Sequence, residues 1–387
     1  MSELDLGLKT ESRRLLWRMG YSTRVDVPLR SYVPNSTRRG GKTTYETYTD
    51  LDVLGIIITP GSGVHSIIAD CKTSGRGSTE RMFWIRGVAD FFDADEAWMV
   101  RSKSVTAASR QLSGRLGISV MESTDLKLLE TFHPTEVPLD QGPLALLFDE
   151  TAVSSYMKGY TTLDRKLNKL LEYRQFDYWV YDEHRNLLQL VAHLHEASRC
   201  LDPSHPTHRA IFYDFAWLYI HSLAHAISRV RAAHATNITE SLQDYIFGGQ
   251  VALQEKQKLA SALRRLAPPN LVDEAGDGVL PHWYPQLLEL LTRQLRRPYL
   301  TSKQLRYAEW LSEAQVAKES SPLAVAFSTQ YDPLAAKLLA DVCGFLVTVG
   351  NLDSGFRSHA RLVMAPPSEG NLESVSDEAG EGAPQGD

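Results

Sequence analysis

The fold is decided by the stretch TDLDVLGIIITPGSGVHSIIADCKTS, residues 49–74. Two runs rich in isoleucine and valine flank the short sequence PGSG, which predicts two antiparallel strands joined by a tight turn. Asp50 and Asp52 lie in the first strand, and Asp70 and Lys72 end the second. Because side chains alternate along a strand, the members of each pair are expected on one face. The antiparallel pairing then brings Asp52 and Asp70 to the same end of the hairpin.

Around this hairpin, the pattern of residues 1–125 predicts one α/β domain with a central mixed sheet. Segments with helical spacing of apolar residues alternate here with short runs of strand-forming residues. The predicted elements are a helix over 3–19, strands over 22–33, 45–59 and 64–71, a helix over 78–93, a strand over 96–102, a helix over 104–117 and a strand over 118–122.

The rest of the chain has a different pattern, and we divide it into three parts. A connecting segment covers 126–154, an all-helical domain covers 155–365, and a tail covers 366–387. The tail contains six acidic residues and no basic one, so we expect it to be disordered. Helical segments of the second domain are predicted over 163–174, 186–200, 206–234, 239–266, 283–296, 302–317 and 332–350.

Composition and charge exclude several classes of protein. The net charge of −6 argues against a globally basic nucleic-acid-binding surface, although residues 1–125 carry 17 basic and 15 acidic residues. Three cysteines without a CxxC pair argue against a disulfide framework or a thiolate zinc site, and they favour a cytoplasmic location. The start of the chain shows no signal-peptide pattern. The most apolar late run, 334–350, contains Lys337 and Asp341, so it predicts a buried helix rather than a membrane span.

The acidic end of the hairpin predicts a site for a divalent cation. Two carboxylates that meet at one point are costly unless a cation lies between them. Such a site suits phosphodiester hydrolysis, in which Mg²⁺ polarises the phosphoryl group and helps to generate hydroxide. Lys72 can orient or deprotonate the attacking water, or stabilise the developing charge. The backbone carbonyl of Cys71 can point at the same ion, while its side chain is expected in the core. Asp50 competes with Asp52 for the ligand role because both lie on one face.

These residues resemble the PD-(D/E)xK nuclease superfamily. Asp52 is followed 18 positions later by Asp70-Cys71-Lys72, and the flanking strands are similar to those of the Mrr-type and Holliday-resolvase-type branches. The resemblance covers residues 1–125, and Leu51 stands where many members have proline. It implies the restriction-endonuclease-like fold with an αβββαβ core.

The resemblance also implies an activity and a set of ligands. It implies a Mg²⁺-dependent nuclease, with Mn²⁺ as a substitute, that acts on DNA rather than RNA. Asp52 and Asp70 would bind the metal, and Glu11 on the first helix would complete the site. The alternative interpretation of Glu11 is an exposed glutamate near Arg14 without a role in metal binding. The alternative for the hairpin is that Asp52, Asp70 and Lys72 form a structural ion pair at the end of the sheet.

Basic residues near the hairpin are candidates for binding phosphates. A basic loop precedes the first strand of the hairpin, and further arginines follow Lys72; a solvated surface is the competing interpretation. The candidates are Arg38, Arg39, Lys42, Arg76 and Arg81.

Two further interpretations stay open. The N-terminal domain is either a nuclease, by analogy one of bacterial restriction or anti-phage defence, or a catalytically inactive nuclease-like scaffold or nucleic-acid-binding subunit. The helical domain would bind nucleic acid, a partner protein or a second copy of the chain. His221 and His225 have a spacing that can chelate zinc, but no HExxH motif or nearby acidic residue accompanies them, which favours packed histidines.

Overall fold

A computed structural model describes residues 5–33, 44–73, 78–180, 182–233, 237–266 and 279–366. All but the first residue of the tail predicted to be disordered, 366–387, lies outside these ranges.

The N-terminal part is a five-stranded mixed sheet with helices, as the sequence predicts. β1 to β3 are antiparallel neighbours, β3 to β5 are parallel neighbours, and the strands follow chain order across the sheet. The elements are α1 Leu6–Arg18, β1 Ser22–Val33, β2 Thr44–Ile58, β3 Val64–Lys72, α2 Ser78–Phe92, β4 Glu96–Arg101, α3 Ala107–Leu116, β5 Ile118–Glu122 and α4 Ser123–Phe132.

Alternation along the strands gives the sheet two apolar faces. Leu54 and Ile68 belong to the same core cluster as Met82 of α2. Val53, on the opposite face, belongs to a second cluster with Leu15 of α1. The helices α1 and α2 therefore cover opposite faces of the sheet.

The remainder of the described chain is largely helical, which confirms the predicted change of architecture. The helices are α5 Glu150–Gly159, α6 Asn168–Glu172, α7 Tyr178–Val180, α8 Glu183–Ala197, α9 Pro206–Ala233, α10 Ile238–Phe247, α11 Gln250–Leu266, α12 Tyr284–Leu295, α13 Thr301–Ala317, α14 Leu323–Phe327, α15 Pro333–Val349 and α16 Ser354–Val363. The division of the chain at 126–154 stays a prediction.

The single helix predicted over 239–266 is wrong. Gly248 and Gly249 have φ angles of +80° and +114°, a left-handed conformation that ends α10 and that L-residues adopt only at a cost. An added Cβ on Gly248 would also lie 2.9 Å from Nε2 of His184.

Replacement of Gly248 by alanine is expected to lower the free energy of unfolding by about 1–2 kcal/mol, the cost of a left-handed L-residue. Urea denaturation measures it. Gly87→Ala is the matched control, because no atom would lie within 4 Å of its added Cβ and it lies within α2. That change is expected to raise the free energy of unfolding by about 0.5–1 kcal/mol. Equal effects of the two substitutions would contradict the left-handed conformation of Gly248.

Buried charges join the sheet to the helical region. Arg13 of α1 donates to Glu309 and Glu313 of α13, over 2.7 Å and 2.5 Å. Glu309 also accepts a hydrogen bond of 2.9 Å from the backbone N–H of Thr23 on β1. Because these charges have little contact with water, each depends on its partners.

Candidate functional site

Asp52 lies at the centre of the candidate site and is almost fully buried. Its Oδ2 accepts a hydrogen bond of 2.8 Å from the backbone N–H of Cys71 and lies 3.5 Å from Nζ of Lys72. Its Oδ1 lies 2.8 Å from Nζ of Lys9. The strand register thus brings Asp52 and Lys72 together, and α1 adds a second ammonium group.

Asp52 is one of three aspartates whose carboxylates come together. Oxygens of Asp26, Asp50 and Asp52 all lie within 4.8 Å of one another, the one such acidic group that could hold a metal within the described residues. Asp26 enters from β1 at a break in the ladder between the pairs Val25↔Val53 and Val27↔Leu51. Its φ of +53° is a left-handed conformation that aspartate tolerates better than most residues.

Lys9 supplies positive charge to this aspartate cluster. Its ammonium contacts both Asp26 and Asp52. Burial alone would lower the pKa of Lys9, but the two carboxylates outweigh burial and raise it above its usual value. Burial raises the pKa of Asp26, and the attraction of Lys9 offsets only part of that effect. A cation therefore already stabilises the cluster, which shows that the position favours positive charge.

Asp70 is directed to a different partner. Both of its oxygens accept from Arg81 of α2, from Nε over 2.9 Å and from Nη2. The guanidinium carbon of Arg81 lies 3.4 Å from the ring centre of Trp84. Asp52 is thus held by a cation from α1 and Asp70 by a cation from α2. Among the described residues, Asp70 does not belong to the cluster of three acidic ligands, and the expectation that Asp52 and Asp70 bind a single ion stays a prediction.

Glu11 is also placed away from the aspartate cluster. Its Oε2 accepts a hydrogen bond of 2.6 Å from the hydroxyl of Ser123, at the start of α4. Near the start of α1, Asp5 is the acidic residue that approaches Lys72: its Oδ2 lies 3.8 Å from Nζ of Lys72. Thr73 donates to Asp5 through its backbone N–H and its hydroxyl, each over 2.9 Å. Burial raises the pKa of Asp5, but these hydrogen bonds and the nearby lysines outweigh burial and lower it.

Cys71 contributes to the site through its backbone. Its side chain is buried in the cluster beneath α1, as predicted, with Sγ 3.4 Å from the hydroxyl of Ser12. Burial raises the pKa of its thiol well above the usual value, so the thiol is a packing group. The proposed ligand role of the Cys71 carbonyl stays a prediction.

Arg81 is the single predicted phosphate-binding residue that lies within the described ranges. Its side chain is 29% exposed beside Asp70, so part of it is accessible to solvent. Arg38, Arg39, Lys42 and Arg76 lie outside the described residues.

Sequence reasoning missed Asp26, Lys9 and Asp5. Asp26 occupies a polar position of the alternating strand, between Val25 and Val27, so the local pattern does not distinguish it. Lys9 and Asp5 acquire their roles only from the packing of α1 against the ends of β2 and β3.

No family model matches the chain, and neither a curated protein nor a solved structure matches it. Within the described residues, no helix has both the length and the apolar character needed to cross a bilayer.

Proposed function

We propose that the chain is a metal-dependent nuclease of the restriction-endonuclease-like fold, which hydrolyses phosphodiester bonds. The observation that carries the proposal is the position of the Lys72 amine beside Asp52, at the edge of a cluster of three carboxylates. The order of α1, β1 to β3, α2 and β4 supports the fold assignment. DNA is favoured over RNA on the sequence resemblance alone.

The donor set fits a hard divalent cation. Mg²⁺ prefers carboxylate oxygens and water, and Asp26, Asp50 and Asp52 would hold it after displacing the ammonium of Lys9. When bound, the ion would polarise the phosphoryl group and lower the pKa of water. Asp50 is exposed, so this side of the cluster is open to a substrate.

The residues of the chain have distinct roles in this proposal. Lys72 is held near Asp52 and Asp5, where its ammonium can stabilise the charge that develops on the phosphate or position the attacking water. Asp70 holds Arg81 by two hydrogen bonds, and Arg81 faces the substrate as a group that binds phosphate.

A catalytically inactive scaffold is the second candidate, and the charge balance of the site favours it. Lys9 forms ion pairs with Asp26 and Asp52, and Arg81 forms an ion pair with Asp70. All three carboxylates are thereby stabilised by residues of the chain itself. In this candidate the basic residues bind nucleic acid and the helical region binds a partner or a second copy.

Isothermal titration with Mg²⁺ and Mn²⁺ separates the two candidates. The nuclease proposal expects one bound ion per chain, and Asp50→Asn is expected to abolish binding because it removes one of three ligands. Asp70→Asn is the matched variant, since it removes an aspartate that lies outside the aspartate cluster, and it should retain binding.

The other outcomes assign the site differently. Loss of binding in Asp70→Asn alone would return the metal to Asp70 and contradict the aspartate cluster. Absence of binding by the wild-type chain, together with absence of cleavage of plasmid, single-stranded DNA and RNA, would overturn the nuclease proposal in favour of the scaffold.

A further inference from the structure

Two histidines of α9 face one another far along the chain from the aspartate cluster. The Nε2 atoms of His221 and His225 are 3.2 Å apart. Both residues line a cavity of about 1260 Å³, bordered by α8, α9, α10 and the end of the sheet where the β2–β3 turn lies.

Each imidazole is oriented by a partner at its other nitrogen. Nδ1 of His225 lies 3.0 Å from a carboxylate oxygen of Glu183, and Nδ1 of His221 lies 2.7 Å from the hydroxyl of Tyr178. Histidines that bind metal ions have this arrangement, in which a carboxylate or another oxygen fixes the ring and its tautomer.

These partners bear on which nitrogen atoms carry hydrogen. A carboxylate only accepts, so neutral His225 places its hydrogen on Nδ1 toward Glu183. The Tyr178 hydroxyl lies 3.0 Å from the backbone oxygen of Leu218 and 2.7 Å from Nδ1 of His221. If it donates to Leu218, its oxygen accepts from Nδ1 of His221, and the two Nε2 atoms present lone pairs to one another, which favours a cation between them. If it donates to His221 instead, the two Nε2 atoms share a hydrogen bond, and the metal titration below separates the two arrangements.

We propose that His221 and His225 bind one transition-metal ion of the Zn²⁺ class at Nε2, with the remaining positions open to the cavity. Two nitrogens on a tetrahedral zinc ion are roughly 3.3 Å apart, close to the distance found here. Imidazole nitrogens select Zn²⁺, Cu²⁺ or Ni²⁺ rather than Mg²⁺, so this site is separate from the aspartate cluster.

Two further features of the cavity support the proposal. The acidic partner that the sequence around the histidines lacks is supplied by Glu183, at the start of α8. The hydroxyl of Tyr245 borders the same cavity and is buried without a hydrogen-bond partner among the described residues. It is available to bind a water or an anion in an open coordination position.

The test is a Zn²⁺ titration of tag-free protein by calorimetry, with Co²⁺ absorption spectra as a second readout. Millimolar Mg²⁺ is present throughout to fill carboxylate sites. Wild type is expected to bind one Zn²⁺, and His225→Ala is expected to lose this binding. Glu183→Gln, which removes the group that orients His225, should weaken binding by about 10- to 100-fold.

The matched control is His208→Ala. His208 also lies beside a second histidine, His205, with ring centres 4.6 Å apart, and its replacement should leave binding unchanged. The His225 side chain is 19% exposed, so its variants should fold, and His225→Gln gives a second test with a polar side chain.

Three results would overturn the proposal. They are a wild-type chain that binds no Zn²⁺, binding that survives in both His225 variants, and binding that is lost in His208→Ala. The first result would mean that a proton is shared between the two nitrogens. None of these results depends on cleavage of nucleic acid, so the experiment tests the Zn²⁺ site independently of the nuclease proposal.

Discussion

Replacement of Lys72 by methionine is expected to slow cleavage of nucleic acid by about two to four orders of magnitude, the usual contribution of a group that assists proton transfer. Methionine keeps much of the apolar stem and removes the ammonium that lies 3.5 Å from Asp52 and 3.8 Å from Asp5. The measurement is the initial rate of cleavage of a plasmid or a single-stranded DNA in Mg²⁺ and in Mn²⁺.

The stability of this variant is expected to change little. The Lys72 side chain is 30% exposed, and ion pairs with that much solvent access contribute at most about 1 kcal/mol. A large fall in rate with a nearly constant melting temperature therefore identifies a functional role rather than a structural one.

Lys103→Met is the matched control, because Lys103 is an exposed lysine in the loop that follows β4. It should cleave at the wild-type rate. If wild type, Lys72→Met and Lys103→Met all cleave equally fast, Lys72 has no part in the reaction. If Lys103→Met is as slow as Lys72→Met, the effect reports general loss of positive charge.

The sequence predicts the hairpin well because the residues that determine it are close together in the chain. Strand-forming runs on either side of a four-residue turn determine both strands, and the resulting register brings Cys71 and Lys72 to Asp52. The same reasoning could not place Asp26. Asp26 itself has the left-handed conformation, and it has no partner in the ladder between β1 and β2 although Val25 and Val27 on either side are paired.

Contacts between distant segments explain the other differences. The sequence could not show that Asp52 and Asp70 each have a cationic partner within the chain. Packing of α1 and α2 against the sheet provides Lys9 for the first and Arg81 for the second. Likewise, the sequence around His221 and His225 shows no acidic partner because Glu183, which lies 3.0 Å from Nδ1 of His225, belongs to another helix.

The second large effect is expected at Arg13, which is 1% exposed. Its replacement by methionine should lower the free energy of unfolding by about 3–5 kcal/mol, because it leaves buried carboxylates without their counter-charge. Besides Glu309 and Glu313, its guanidinium donates to the backbone oxygen of Leu147 over 2.7 Å. Urea denaturation at neutral pH measures the loss.

Arg14→Met is the matched control for this change. Arg14 is the next residue on α1, its side chain is 27% exposed, and its Nε lies 2.8 Å from Glu130. Removal of such an exposed pair should cost less than about 1 kcal/mol. The triple variant Arg13→Met, Glu309→Gln, Glu313→Gln should recover part of the stability, since it removes the unpaired charges together with their partner.

The loss at Arg13 is also expected to depend on pH. Burial raises the pKa of Glu313 above its ordinary 4.5, and Arg13 offsets part of this effect. Without Arg13 that pKa rises further, so the folded variant binds a proton that the unfolded chain releases. A carboxyl group with a raised folded pKa stabilises the fold at low pH and loses that contribution as the pH rises. The variant should therefore fall further below wild type at pH 8 than at pH 5. A deficit that is constant or larger at pH 5 would show that lost packing, rather than unpaired charge, limits its stability.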